Sequence, residues 1–147
     1  MNTLNRRHWI AAAAALIAAP LRAATQAPEV QVWKSPTCGC CKDWITHMQA
    51  HGFRVTVFDT GNTAMRAKLG LPQSLGSCHT ALVGGYVLEG HVPADDVKRL
   101  LADKPKALGL AVPGMPVGSP GMETGPAQPY ATLLFDDAGG MRVFARH

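Results

Sequence analysis

Val30-Gln31-Val32-Trp33-Lys34-Ser35-Pro36-Thr37-Cys38-Gly39-Cys40-Cys41-Lys42 is the stretch that decides the fold. Its first four residues form a β-prone run. Ser35-Pro36-Thr37 turns the chain. Lys42 to Ala50 reads as a helix, with Trp44, Ile45 and Met48 on an apolar face at spacings of three and four. Gly52 ends it as a C′ residue. Three thiols therefore stand where a strand hands over to a helix. A helix N-terminus offers free N–H groups and the positive end of the dipole, which stabilise thiolate. Lys34 and Lys42 add positive charge, so the Cys38 thiol is expected to be acidic.

Outward from this point, strands and helices alternate. Arg54 to Asp59 reads as a second strand, with Val55 and Val57 in alternation. Asn62 to Leu69 reads as a short helix closed by Gly70 and Pro72. Thr80 to Val83 and Tyr86 to Glu89 flank Gly84-Gly85, a hairpin signal. Pro93 opens a helix that Ala94 to Asp103 continues, with Val97, Leu100 and Leu101 inward. The order β-α-β-α-β-β-α predicts a small α/β domain, with the four strands in one sheet flanked by helices. Residues 105–129 hold six Pro and five Gly and read as one long loop, without regular structure. Ala131 to Phe135 and Met141 to Phe144 read as a terminal hairpin. No internal repeat is evident.

The chain has 147 residues, enough for one domain with a core. With 47% apolar and 16% charged residues it is not a disordered chain. Four Cys are too few for a disulfide-built miniprotein of this length. Residues 1–23 have the parts of a cleaved export signal: Arg6-Arg7, an apolar run from Trp9 to Ala19, and Leu21-Arg22-Ala23 ending in a small residue. The run of 11 residues is too short to cross a bilayer, so no mature membrane anchor is expected. Arg6-Arg7-His8-Trp9-Ile10 suits twin-arginine export and general secretion about equally. Residues 24–147 are then a single domain in the periplasm, where thiols oxidise readily. Without Arg6, Arg7 and Arg22 the formal charge of +4 falls to 11 basic against 10 acidic residues. That balance gives no electrostatic case for a nucleic-acid partner.

The cysteine cluster carries the chemistry. Strand, Cys38-Gly39-x-Cys41 and helix resemble thioredoxin, whose motif has Pro where this chain has Cys40. Trp33 to Cys38 also resembles the approach to that helix in glutaredoxin. Cys78-His79-Thr80 precedes the third strand, where thioredoxin-like folds carry a cis-Pro. By that resemblance His79 takes the Pro position and Cys78 faces the cluster. Taken together, Thr37-Cys38-Gly39-Cys40-Cys41, Cys78-His79-Thr80, Glu89-Gly90-His91-Val92-Pro93 and the run from Gly109 to Glu123 resemble the small periplasmic thioredoxin-like copper-resistance proteins of the CopG type. The resemblance spans roughly residues 29–123. It implies Cu(I) held by the four Cys as a thiolate-bridged cluster, with His nearby, and a redox role in copper handling. Expected partners are copper ions and other periplasmic copper-handling proteins.

The residues point to copper independently. Soft thiolates select Cu(I), Zn or Fe–S. One Zn²⁺ on four thiolates leaves a net negative charge that is costly to bury, whereas about four Cu(I) ions would neutralise them. Adjacent Cys40 and Cys41 are expected to diverge, which suits two metals better than one tetrahedral centre, and the strained ring they would close makes them poor disulfide partners. The expected metal ligands are Cys38, Cys40, Cys41, Cys78, His79 and His91, with Met115 and Met122 as weaker thioether candidates. For His91 a surface position is equally open, and for the two Met simple loop packing. His47 and His51 are read as lying on the solvated side of the helix, and Asp95-Asp96 as helix-start charge.

Two other classes compete. A thiol–disulfide oxidoreductase would use Cys38 as nucleophile and Cys41 to resolve. The additional Cys40, Cys78 and His79 weigh against it. A structural Zn module normally shows two separated pairs. Ser/His/Asp hydrolysis, phosphate loops and nucleotide fingerprints find no residues here.

Overall fold

Val30 and Val32 alternate with Gln31 and Trp33, and the alternation buries the two valines completely in strand β1 (Glu29–Lys34). In the computed structural model, which describes residues 26–147, helix α1 (Gly39–Ala50) follows, then β2 (Arg54–Phe58) and α2 (Thr63–Lys68). A 3-10 turn (Gln73–Leu75) leads into β3 (His79–Val83) and β4 (Tyr86–Glu89). Helix α3 (Ala94–Asp103), β5 (Gly109–Ala111), β6 (Ala131–Phe135) and β7 (Met141–Arg146) complete the chain. The expected export signal lies outside the described residues. Among those described, no helix is long and apolar enough to cross a membrane.

All seven strands join one sheet in the order β2-β1-β3-β4-β5-β6-β7. β1 and β2 are parallel, β3 runs antiparallel to both β1 and β4, and β5 is parallel to β4. β6 and β7 continue the sheet antiparallel. The four predicted strands are present and adjacent. The terminal hairpin, read in the sequence as a separate feature, is the far edge of the same sheet. On one face Trp44, Ile45 and Met48 of α1 and Val97 and Leu100 of α3 pack over Val30, Val32, Ala81 and Leu88. The other face holds a smaller cluster of Leu71, Leu75, Val87, Ala111 and Phe135.

The structure departs from the sequence reading in several places. Residues 105–129 are not all loop, because Gly109–Ala111, which lie between prolines, form β5. A side chain at Gly109 would collide with the Val87 carbonyl, so only Gly lets β5 come this close to β4. Helix α1 begins at Gly39, not Lys42, which places Cys40 and Cys41 within its first turn. The His79 peptide bond is trans, as are all those of the described residues, so His79 does not reproduce a cis-Pro. Asp96 is more than helix-start charge: it is buried, and its Oδ2 accepts from Thr132 Oγ1 at 2.6 Å and pairs with His147 Nε2 at 2.9 Å.

Topology places the site. β3 is antiparallel to β1, so its first residue, His79, lies opposite Lys34, the last of β1. Thr80 then pairs with Glu89 at the end of β4. The segments that follow β1, precede β3 and follow β4 therefore meet at one end of the sheet. They carry Cys38 to Cys41, Cys78 and His91 respectively.

Candidate metal centre

Cys38 caps α1 with extended backbone, and its amide donates to Ser35 O at 3.1 Å. Cys41, one turn on, is buried and forms a disulfide with Cys38, with Cα atoms 5.4 Å apart. Cys40 points elsewhere: its Sγ is 3.6 Å from Cys38 Sγ and 3.7 Å from Cys78 Sγ. The adjacent Cys40 and Cys41, expected to diverge, nonetheless keep their sulfurs within 4.8 Å of each other. One donor atom from each of Cys38, Cys40, Cys41 and Cys78 lies within 4.8 Å of the others. Cys78, His79 and His91 form a second such group, so Cys78 is shared between a sulfur face and an imidazole face.

His91 is buried, not on the surface. Its Nδ1 is 2.9 Å from Pro120 O, and a carbonyl only accepts, so Nδ1 carries the proton. In the neutral ring Nε2 then holds a lone pair, which faces Cys78 Sγ at 3.0 Å. That is the arrangement of a metal-ligating imidazole oriented from its far side. His79 packs against Trp44 with the rings tilted by 38° and their centroids 4.3 Å apart, and its Nδ1 is 3.5 Å from Cys78 Sγ. His79 Nε2 is buried with no hydrogen-bond partner among the described residues. An orphaned buried nitrogen is costly, and beside soft donors it fits a metal ligand.

Burial sets the protonation of the group. It pushes the Cys78 thiol well above its ordinary value, with the neighbouring Cys40 acting in the same direction. Burial, reinforced by His91, holds His79 down to about 3. His91 is also lowered by burial, against the Pro120 contact. The apoprotein thus carries a protonated thiol beside two neutral rings. A soft cation arriving at Cys78 must displace a proton, whereas the imidazoles need lose none.

The loop from Pro116 to Gln128 straps this end of the molecule. Pro120 supplies the His91 contact, and Gly121 packs on α1, where an added Cβ would lie 2.7 Å from Cys40 O. Met115 is exposed and lines a cleft of about 490 Å³ together with Cys78, Arg66 and Ser77. Met122 is half-buried in the strap, its amide donating to Ser119 O. His47 and His51 lie with ring centroids 4.2 Å apart, both half-buried, and His47 has a structural partner: its Nε2 accepts the Ala94 N–H at 3.1 Å, capping α3.

The sequence reading missed the supports. In the sequence Glu89 stands only as the first residue of the Glu89-Gly90-His91-Val92-Pro93 motif. It is wholly buried, and burial raises its pKa against the opposing pull of Thr80, Ser77 and Arg66. A lone carboxylate at the end of an apolar strand was the available signal. Trp44 Nε1, which donates to Val92 O at 2.9 Å, was read only as core.

Fold and donors together define a class, a small α/β protein with a group of sulfurs and imidazoles at one end of its sheet that fits a metal ion. A family model described as "Protein of unknown function, DUF411" matches residues 75–122, which include Cys78, His79 and His91. Two solved structures of a copper resistance protein CopG, forms 2 and 1, match at 43% and 44% identity with TM-scores of 0.77 and 0.76 respectively. The matches cover 82% and 81% of this chain and 98% and 96% of theirs. The chain belongs to the CopG family of copper resistance proteins. No curated protein sequence matches it.

Proposed function

We propose that this protein handles periplasmic copper, holding several Cu(I) ions as cargo in a thiolate-bridged cluster. Cys38, Cys40, Cys41 and Cys78 supply sulfur, and His79 and His91 bound the site on the Cys78 side. The observation that carries this reading is the convergence of four sulfurs, one of which is shared with two neutral imidazoles. Bridging sulfur and a near-neutral cluster suit monovalent soft ions better than a single Zn²⁺. The export-signal pattern supports the periplasm, and the β2-β1-β3-β4 order with α1 after β1 supports a thioredoxin-like core.

A redox role has its own support in the Cys38-Cys41 bridge at the start of α1. While it stands, two of the four sulfurs are committed to each other. Two electrons and two protons restore both thiols, so reduction would precede loading of the full cluster.

The test is an anaerobic Cu(I) titration of the reduced protein against a competing chelator, with Zn²⁺ in parallel. Several tightly bound Cu(I) per chain are expected, with stoichiometry falling in Cys38→Ser and Cys78→Ser. One tight Zn²⁺ and weak Cu(I) would replace this reading with a structural zinc site. No tight metal, with fast reduction of a test disulfide, would replace it with a thiol–disulfide oxidoreductase.

A further inference from the structure

Cys78 and His79 lie between two residues tied to the same buried carboxylate. Glu89 Oε1 accepts the Ser77 N–H at 2.8 Å, and Glu89 Oε2 accepts Thr80 Oγ1–H at 2.5 Å. Arg66 Nε lies 3.2 Å from Oε1, so the charge is buried with a counter-charge. Asn62 Nδ2 repeats the bracket from α2, donating to Ser77 O at 3.2 Å and Thr80 Oγ1 at 3.3 Å. Between the brackets, Gly90 N donates to His79 O at 3.0 Å. Gly90 leaves no room for a side chain, since an added Cβ would meet Ser77 Oγ at 2.6 Å. Ser77 Oγ–H in turn donates to Gly114 O at 2.8 Å, tying the segment that leads into the strap to the same point.

We propose that Glu89 is a positioning residue for the metal centre, fixing Cys78 and His79 through Ser77 and Thr80 without touching the metal. A residue that only filled the core would be apolar, since burying a carboxylate is costly unless its oxygens are satisfied. Here both oxygens are used, and on both sides of one dipeptide. The loop before β3 has no regular pairing of its own at Ser77 and Cys78 to set where the thiol points. The carboxylate supplies that constraint, holding Cys78 Sγ at Cys40 and His91 together. Partners behind a metal ligand usually set its orientation, and losing one typically costs about 10–100-fold in metal affinity.

The inference rests on the copper reading for its first test and is independent of it for the second. Cu(I) competition is run on the reduced wild-type protein, Glu89→Gln, Thr80→Val, and Val97→Ala as a core-only control on α3. Glu89→Gln and Thr80→Val are expected to lower Cu(I) affinity about 10–100-fold. Val97→Ala, measured where it is folded, should keep the wild-type affinity. In the second test, all proteins carry Cys38→Ser and Cys41→Ser, and the rate at which the thiol oxidant diamide joins Cys40 to Cys78 is followed without metal. Glu89→Gln and Thr80→Val should slow this joining about 10–100-fold, because a reacting group misplaced by about 1 Å loses rate on that order. If Glu89→Gln does not fold, Thr80→Val decides both tests. Joining rates equal to wild type, or a slowing equally large in Val97→Ala, would overturn the proposal whatever the wild type does with copper. Failure of the wild type to bind Cu(I), with joining slowed in Glu89→Gln, would overturn the copper reading and leave the positioning role standing.

Discussion

His79 and His91 show how a buried ring sets both chemistry and stability. Both are held neutral by burial, His79 down to about 3 and His91 below its ordinary value. In the unfolded chain the same rings take up protons near pH 6.5. Their contribution to stability is therefore complete above about pH 6.5 and is lost as pH falls toward the folded values. Each ring that stays neutral costs about 1.4 kcal/mol per pH unit in that window. The unfolding midpoint of the metal-free protein should fall between pH 7 and pH 5, and fall less steeply in His79→Gln. An equal slope in the variant would mean that His79 is not held neutral by the fold. The residue types at this site were legible in the sequence. That Cys78 would be a protonated thiol wedged between Cys40 and a lone pair of His91 was not, because protonation depends on what surrounds the atom.

At the scale of elements, the strap over α1 is the feature most exposed to a single change. Gly121 has φ +88°, and an added Cβ would lie 2.7 Å from Cys40 O and 2.9 Å from Trp44 N. Gly139 has nearly the same φ, +85°, with nothing within 4 Å. Gly139→Ala therefore isolates the backbone penalty, on the order of 1–3 kcal/mol. Gly121→Ala should cost more than Gly139→Ala by denaturant midpoint, and should loosen the Pro120 contact to His91. Equal costs would show that the strap does not press on the helix. The sequence marked residues 105–129 as irregular through their prolines and glycines, and most of the segment is. It did not show β5, since three residues carry too little periodicity to be read as a strand. Their pairing comes from β4 and β6 on either side. Likewise α1 starts three residues early because the Cys run carries no helix signal, yet its backbone continues the helix that Trp44 and Met48 anchor.

At the scale of the molecule, the site is one end of a seven-stranded sheet, and folding is what assembles it. A ligand bound by the folded chain but not the unfolded one raises stability by about 2.7 kcal/mol when its free concentration is a hundred times Kd. Cu(I) should therefore raise the unfolding temperature of the reduced protein in calorimetry, and a competing chelator should reverse the rise. The shift should be smaller in the form bridged between Cys38 and Cys41, which has two fewer sulfurs to offer. Equal shifts in the two forms would mean that the bridged pair takes no part in binding.

The sequence by itself determined the alternation of strands and helices, the four central strands, and the place of three thiols at a helix start. These depend on local spacing, turn chemistry and residue type, which the chain carries from one position to the next. Tertiary structure decided which distant groups became neighbours. The antiparallel run of β3 set His79 opposite Lys34, the pairing of Thr80 with Glu89 put a carboxylate behind Cys78, and the strap brought Pro120 O to His91. Hydrogen bonds and burial between residues far apart in the chain leave no local period to read. They exist only once the sheet has closed around them.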